Sequence, residues 1–290
     1  MKQFDRQYRF SAGRGANGFE VGKTTPESPT ALRINFSIEK ADTETPNSAR
    51  ISLWNLSKPQ LAILNETDCQ VVLRAGYDNT MPLIFVGTIS YAYTELDGAD
   101  RETVIEAVDG RVELRDSFVS LSYSGSINSK TIIQAIAVNM GVTVTFSHNA
   151  RFYDFPNGFS YVGSARTALD KACSSSGLQW QIQNGILQIK NKNDVMARNA
   201  YVLSADSGLI GIPKKVMISS DGFTTDVEGG GDEVRPGYEV EYFLNGAIGI
   251  SDFVRLESKV ATGYFRVYTI EMKGDNIDGD WTATARLIEG

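Results

Sequence analysis

From Ser48 to Asp109 apolar and polar residues alternate over four successive segments, and a period of two is the signature of strands rather than helices. Ile51, Leu53 and Asn55 alternate with Ser52 and Trp54. Ser57 then starts a short helix, with Gln60 three residues on as in a capping box, and Leu61 and Leu64 give it one apolar face. A second strand carries Val71, Leu73 and Ala75 and ends at Gly76. A third runs through Leu83, Phe85, Gly87, Ile89, Tyr91 and Tyr93 and turns at Asp97-Gly98 into Thr103, Ile105 and Ala107. A strand, a one-turn helix and a run of antiparallel hairpins suit a small barrel or sandwich.

The same texture extends to both sides. Phe4, Tyr8 and Phe10 predict an opening strand, Gly13–Gly18 a turn, and Phe19 and Val21 a return. Residues 24–29 read as a loop, and Leu32, Ile34, Phe36 and Ile38 as a cleanly alternating strand. The polar stretch Ala41–Ala49, with Pro46-Asn47 as its turn, is expected to leave the barrel at one end, free to meet a neighbouring subunit. Val119, Leu121 and Tyr123 make a further strand, and Gly125 marks the end of this first domain.

From there the pattern changes. Ser129 is placed to cap a helix whose Ile132, Ile133, Ile136, Ala137 and Met140 share a face and which Gly141 stops. Val142, Val144 and Phe146 form a strand. Ser164 caps a second helix, with Ala165, Leu169, Ala172 and Cys173 along one stripe and Gly177 at its end. Leu178, Trp180 and Ile182 then pair with Leu187 and Ile189 across Asn184-Gly185, a type I′ hairpin signal. These helix–strand halves hint at an internal repeat. From Tyr201 the chain is strand-like again, with Lys214–Ser220 alternating, an acidic glycine-rich stretch at Asp221–Glu233, and Tyr238, Val240, Tyr242 and Leu244 before a second hairpin signal at Asn245-Gly246. Tyr264–Met272 and the strand of Trp281, Ala283, Ala285 and Leu287 complete what reads as a second barrel. The expected fold class is therefore mainly β with a small α+β region. Residues 1–125 and 197–290 are the two barrel domains, and residues 126–196 are the inserted α+β domain.

Composition narrows function by exclusion. The 290 residues carry a formal net charge of -7, which argues against a sequence-independent nucleic-acid binder, since that needs a basic surface. An acidic wall past which DNA slides without sticking is compatible with it. No long apolar run encodes a membrane helix, so no membrane insertion is expected, and Met1–Phe10 does not resemble a secretion signal. Cys69 and Cys173 lie in different predicted elements and are expected to be reduced thiols.

Several stretches resemble sites, and each has a plainer reading. Gly18–Thr24 resembles a phosphate-binding loop, but three residues rather than four separate Gly18 from Gly22, and Thr25-Pro26 leads into a loop instead of a helix. Asp275, Asp278 and Asp280 lack the spacing and distal Glu of a calcium loop and read as a solvated turn. Asp221, Asp226, Glu228, Asp232 and Glu233 read as a contact loop. His148 is the only histidine, with no nucleophile signature around it and no further His for a zinc site. Glu95, Asp97, Asp100 and Glu102 cluster at a hairpin turn where water keeps carboxylates ordinary. Asp109-Gly110 is expected to shape the turn into Arg111–Asp116. Trp54, Trp180 and Trp281 fit packing positions, while Tyr91 and Tyr93 share a face that suits either packing or an interface. No catalytic, cofactor-binding or metal-binding residue is assigned, no cofactor is expected, and the chain is not expected to be an enzyme.

The phrases "ARISLWNLS", "VVLRAGYD", "LIFVGTIS" and "ETVIEAVDG" resemble, in this order, the opening domain of the baseplate hub proteins of tailed bacteriophages, the late-control protein D group. The likeness covers residues 32–125 and continues through "GSINSKTIIQAIAVNMG" and "SARTALDKACSSSGLQWQIQNGILQI". It resumes at Pro236-Gly237, Gly263–Val267 and Trp281-Thr282. The resemblance implies two barrels like the tail tube subunit and a homotrimer, whose six barrels form a ring adapting a six-fold tube to a three-fold spike. It implies a structural, channel-lining role in the virion tail after assembly in the host bacterial cytoplasm. The implied partners are the tail tube or distal tail protein, the central spike, the tape-measure protein as a further candidate, and DNA only as passing cargo. The chain is shorter than many such proteins, so accessory domains, including any wall-degrading one, are expected to be missing. Two other classes remain compatible with the residues: a hub-associated peptidoglycan hydrolase and a carbohydrate-binding host-attachment module.

Overall fold

The computed structural model describes residues 5–22, 31–78, 80–196, 200–219 and 235–289. It opens with β1 (Arg6–Arg14), β2 (Asn17–Gly22), β3 (Ile34–Ala41) and β4 (Ser48–Trp54), then helix α1 (Lys58–Leu64). Next come β5 (Gln70–Tyr77), β6 (Leu83–Asp97), β7 (Asp100–Val108), the short helix α2 (Arg111–Asp116) and β8 (Phe118–Tyr123). The α+β region holds β9 (Ile127–Asn128), α3 (Ser129–Met140), β10 (Thr143–Phe146), β11 (Asp154–Phe155), β12 (Phe159–Ser164), α4 (Ala165–Ser174), β13 (Leu178–Gln183) and β14 (Ile186–Asn191). The chain ends through β15 (Ala200–Leu203), β16 (Leu209–Ile218), β17 (Arg235–Phe243), β18 (Phe253–Glu257), β19 (Thr262–Asp275) and β20 (Trp281–Glu289). The protein is mainly β, as its alternation predicts.

Most strands of the two β regions join one 13-stranded sheet, ordered β16-β17-β20-β19-β3-β4-β7-β6-β5-β1-β2, with β18 and β15 branching from β19. The ends of this path, β2 and β16, do not pair with each other, so barrel closure is not a feature of the described pairing. The two β regions meet where β3 pairs antiparallel with β19, from Thr269 opposite Ala41 to Asp275 opposite Asn35. One apolar cluster runs through both, from Tyr8 and Phe10 to Ala285 and Leu287. At its centre Trp281 packs edge-on against Phe36, ring centroids 5.3 Å apart, and donates its Nε1–H to the Gly76 carbonyl. Gly274 has to be glycine, because a Cβ there would lie 2.3 Å from the Phe36 ring. A second, separate cluster fills the α+β region, built on Ile132, Ile133, Ile136, Leu169, Trp180, Leu187 and Ile189.

Local signals hold where a single residue dictates the backbone. Gly141 takes the left-handed conformation at the end of α3, and Asn184 and Gly185 both have positive φ between β13 and β14, as a type I′ turn demands. Ser164 caps α4 by accepting from the Thr167 N–H. Gln60 Oε1 accepts from both the N–H and the hydroxyl of Ser57. Two signals are misplaced. Asn128, not Ser129, caps α3 by accepting from the Lys130 N–H, and the Ser129 hydroxyl is turned inward to accept from the Tyr153 N–H. Asn245-Gly246 closes no hairpin, because β17 pairs with β16 and β20 and its sequence neighbour β18 pairs with β15 and β19. Asn245 instead folds its side chain onto the Ala247 N–H. The expected loop at 24–29, Phe4 and the acidic stretch 221–233 lie outside the described residues.

Candidate functional site

Where the β13–β14 hairpin meets the large sheet, side chains that ordinarily stay in water are buried. Asp109, at the end of β7, has no exposed surface. Its carboxylate accepts from the backbone N–H groups of Asn184 (2.5 Å) and Gly185 (2.9 Å) and from Asn47 Nδ2 (3.3 Å). Asn47 also donates to the Ile182 carbonyl and to Gln183 Oε1. Lys40 Nζ reaches Asn184 Oδ1 at 2.8 Å. Burial pushes the Lys40 ammonium down to about 8 against the pull of Asp109. Burial also raises the Asp109 carboxyl, opposed by the Gly185 N–H, Lys40, the Asn184 N–H and Asn47.

A second knot lies further along the same junction. Asp42 Oδ2 accepts from Lys190 Nζ at 3.0 Å and from Arg266 Nη1. All three side chains are buried, and burial holds both cations below their ordinary pKa while Asp42 pulls the other way. Two cations thus face one carboxylate, and Asp42 Oδ1 and Arg266 Nε have no partner. Gln179 ties the knot to its surroundings, donating to the Asp42 carbonyl and accepting from Lys190. Arg266, Asp42, Glu44, Gln179 and Tyr268 line a cavity of about 540 Å³ beside it.

The other broad feature is the solvent face of the central strands. Glu271 on β19 sits opposite Glu39 on β3 and Thr284 on β20. A parallel row runs from Lys273 through Ser37, Arg50 and Glu106 to Tyr91. Arg50 pairs with Glu106 at 2.9 Å and donates to the Tyr93 hydroxyl at 3.1 Å. This face is polar and mixed in charge, with like-charged Glu39 and Glu271 as cross-strand neighbours.

The residues that stood out in the sequence fall in different places. Gly18–Gly22 lies in β2, paired with β1, rather than in a loop before a helix; Lys23 and Thr24 lie outside the described residues. Asp275 accepts from the Ile277 and Asp278 N–H groups and pairs with Arg33 at 3.1 Å, which uses its oxygens to build the turn. His148 is exposed on a turn after β10. Asp97 accepts from Trp54 Nε1 and Asp100 from Asn55 Nδ2, so both carboxylates fasten the β6–β7 hairpin to β4. Asp221, Asp226, Glu228, Asp232 and Glu233 lie outside the described residues. Trp180 and Trp281 are core residues, one in each cluster. Arg33 stacks on Trp54 with its guanidinium 4.4 Å from the ring centroid. Tyr91 is 60% exposed, with its ring centroid 5.5 Å from that of Tyr93. Cys69 and Cys173 are free and buried in separate clusters. Among the described residues no group of three or more His, Cys, Asp or Glu is placed to hold a metal ion, and no helix is long and apolar enough to cross a membrane.

Sequence reasoning singled out Asp109 only for the turn that follows it and passed over Lys40, Asp42, Lys190 and Arg266. One signal was available: Lys40 continues the inward series Ile34, Phe36, Ile38, so its side chain is forced toward the interior.

The family model described as baseplate hub gp41 matches residues 18–217. No curated protein matches the sequence. Solved structures share the fold at low identity. The 43 kDa tail protein of prophage MuSo2 from Shewanella oneidensis is 9% identical, with a TM-score of 0.61 over 98% of both chains. The tail protein from Neisseria meningitidis MC58 is 12% identical, with a TM-score of 0.60 over 97% of this chain and 96% of that one. A component of the E. coli type VI secretion system is 8% identical, with a TM-score of 0.60 over 91% of this chain and 76% of that one.

Proposed function

Because the chain belongs to the baseplate hub gp41 family and is thereby a structural protein of the phage tail baseplate, we propose that it is the hub itself, a homotrimeric ring adapting a six-fold tail tube to a three-fold spike. The observation that carries this reading is the edge-to-edge union of the two β regions through β3 and β19. One chain already sets two sheet regions side by side, and three chains joined in the same manner make six. The polar face bearing Glu39, Glu271, Arg50 and Glu106 would then line the channel, where mixed and partly acidic charge does not hold passing DNA. Its partners are the tail tube or distal tail protein on one side and the central spike on the other, in the baseplate of the virion tail. The two β regions that share the 13-stranded sheet form the ring, and the α+β region, which takes in β8 through its pairing with β12, decorates it. The role is architectural and not enzymatic: the buried carboxylates of the junction are spent on backbone N–H groups and cations, away from any substrate.

Electron microscopy of the purified protein, with mass from light scattering, tests this. A three-fold ring with six similar lobes and an open centre is expected. A monomer that stays monomeric when mixed with its tube and spike proteins overturns the ring.

A further inference from the structure

The junction between the α+β region and the sheet is built unlike either interior it separates. The apolar clusters on its two sides are distinct, one spanning Tyr8 to Leu287 and the other Val119 to Ile189. Between them the contacts are mostly polar. Asp109, Asn47 and Lys40 from the sheet side meet Asn184, Gly185, Gln183 and the Ile182 carbonyl. Asp42 and Arg266 meet Lys190, while Gln179 and Gln183 donate to the Asp42 and Ala41 carbonyls. Gln181 donates to the Ser251 hydroxyl at 3.4 Å. One apolar contact is Ile182 over Gly110, where a Cβ would come within 2.7 Å of the Ile182 side chain.

Such a seam costs less to open than an apolar one. Separating apolar surfaces forfeits burial in proportion to area. Separating hydrogen-bonded polar surfaces exchanges protein partners for water at a small net cost for each bond. Here opening also rehydrates ions that are poorly compensated: Lys190 and Arg266 share one carboxylate and Arg235 adds to the positive field on Arg266, while from outside the knot Asp194 acts on Lys190 and Tyr268 on Arg266. At the other end Lys40 and Asp109 are buried with opposite charge. The chain crosses the junction at Gly110, in the left-handed conformation, and again after β14.

We propose that the seam is a latch: the α+β region, led by the β13–β14 hairpin, unseats from the sheet as a body while both apolar cores stay closed. Opening of this kind is sub-global, with a free energy below that of unfolding either core.

Hydrogen exchange on the full-length protein, resolved to single residues, tests it. The Asn184 and Gly185 amides donate across the seam to Asp109 and report its opening. The amides of Gln181 and Gln188, a hydrogen-bonded pair, belong to the β13–β14 ladder, and those of Ile51 and Ile105 to the β4–β7 ladder. Expected is exchange at Asn184 and Gly185 about 100-fold faster than at all four ladder amides. Ladder and seam amides exchanging together would overturn the proposal. Simple fraying of the turn is separated from latch opening by Asp42→Asn, which lies at the other knot and touches neither amide. A latch predicts about tenfold faster exchange at Asn184 and Gly185 in this variant, with the ladder amides unchanged. Unchanged exchange at Asn184 and Gly185 would overturn it. Should the variant fail to fold, Lys190→Gln relaxes the same knot from the hairpin side and carries the same two outcomes.

Discussion

Trp281 and Asp42 are equally deep in the molecule, yet they are held by opposite means. Trp281 sits among Phe36, Gly274, the Gly76 carbonyl and the Tyr77 hydroxyl, and its hydrogen bonds to Gly76, Tyr77 and Leu244 are neutral ones. Everything around it is matched in shape, so its contribution comes from surface removed from water and from close packing. Asp42 is held by Lys190 and Arg266, one of its oxygens is left over, and the charges around it do not sum to zero. Its contribution is the difference between a large attraction and a large desolvation cost. The apolar interior therefore fixes what the chain folds into, while the polar seam fixes how the inserted region sits on it.

The sharpest way to break that contrast is to remove one residue of each kind. Trp281→Ala should cost the most, toward the upper end of about 3–5 kcal/mol. The cost should appear as a lower midpoint of global unfolding in urea. Asp42→Ala strands two buried cations and should cost toward the lower end of about 3–5 kcal/mol. In that variant the loss should fall on the junction first, as rapid exchange at Asn184 and Gly185 before the ladders open. If both variants lower a single unfolding transition and nothing else, the two interiors are one cooperative unit and the contrast fails.

How much of this was legible in the sequence follows the same division. Strand alternation is local, so β3, β4, β5, β6 and β7 could be read directly, and so could the buried face of α3 from Ile132 to Met140. Backbone conformations that few residues tolerate were legible too, as at Gly141 and Asn184-Gly185. Pairings between distant segments were not. Nothing near Ile38 or Met272 announces that they are neighbours, and Asn245-Gly246 signals a hairpin only if β17 and β18 are adjacent, which they are not. The Asn128–Ser129 cap was missed by one residue because both side chains can cap and tertiary contacts decide between them. The seam was least visible, since Asp42 and Lys190 read as surface residues until the fold brings them together. Only Lys40, in line with three inward apolar residues, carried a local signal, and the sequence reading passed over it.

Lys40 also sharpens the comparison through pH. Its folded pKa lies near 8, below its ordinary value, so the native state sheds this proton more easily than the unfolded chain. A group with a depressed folded pKa contributes stability that is present above its unfolded pKa and lost as pH falls through the folded one. Raising the pH from about 8 to about 10 should therefore stabilise the protein through this residue, by of order 2 kcal/mol. Asp109 works in the other direction at the acid end. Its raised carboxyl makes a contribution that is full below the unfolded value and is lost as pH rises through the folded one. Lys40→Met should flatten the alkaline slope in urea titrations run across that range. An unchanged slope would mean that Lys40 is not the group responsible.

The smallest expected effect comes from the turn that carries the seam's hydrogen bonds. Asn184 has a φ of 53°, tolerated by asparagine and better by glycine, and its side chain accepts from Lys40. Asn184→Gly keeps the backbone conformation and the N–H donated to Asp109 but removes the partner of Lys40. The two changes oppose each other, and a net loss of about 1 kcal/mol is expected, the worth of one buried hydrogen bond. That loss should disappear in the Lys40→Met background, where the bond is already gone. A double-mutant cycle reads this directly. Coupling near zero would mean that the Lys40–Asn184 contact adds nothing and that Asp109 alone holds this end of the latch. Coupling near the full loss would mean that the seam is a set of specific pairs, which is what distinguishes it from the shape-matched packing around Trp281.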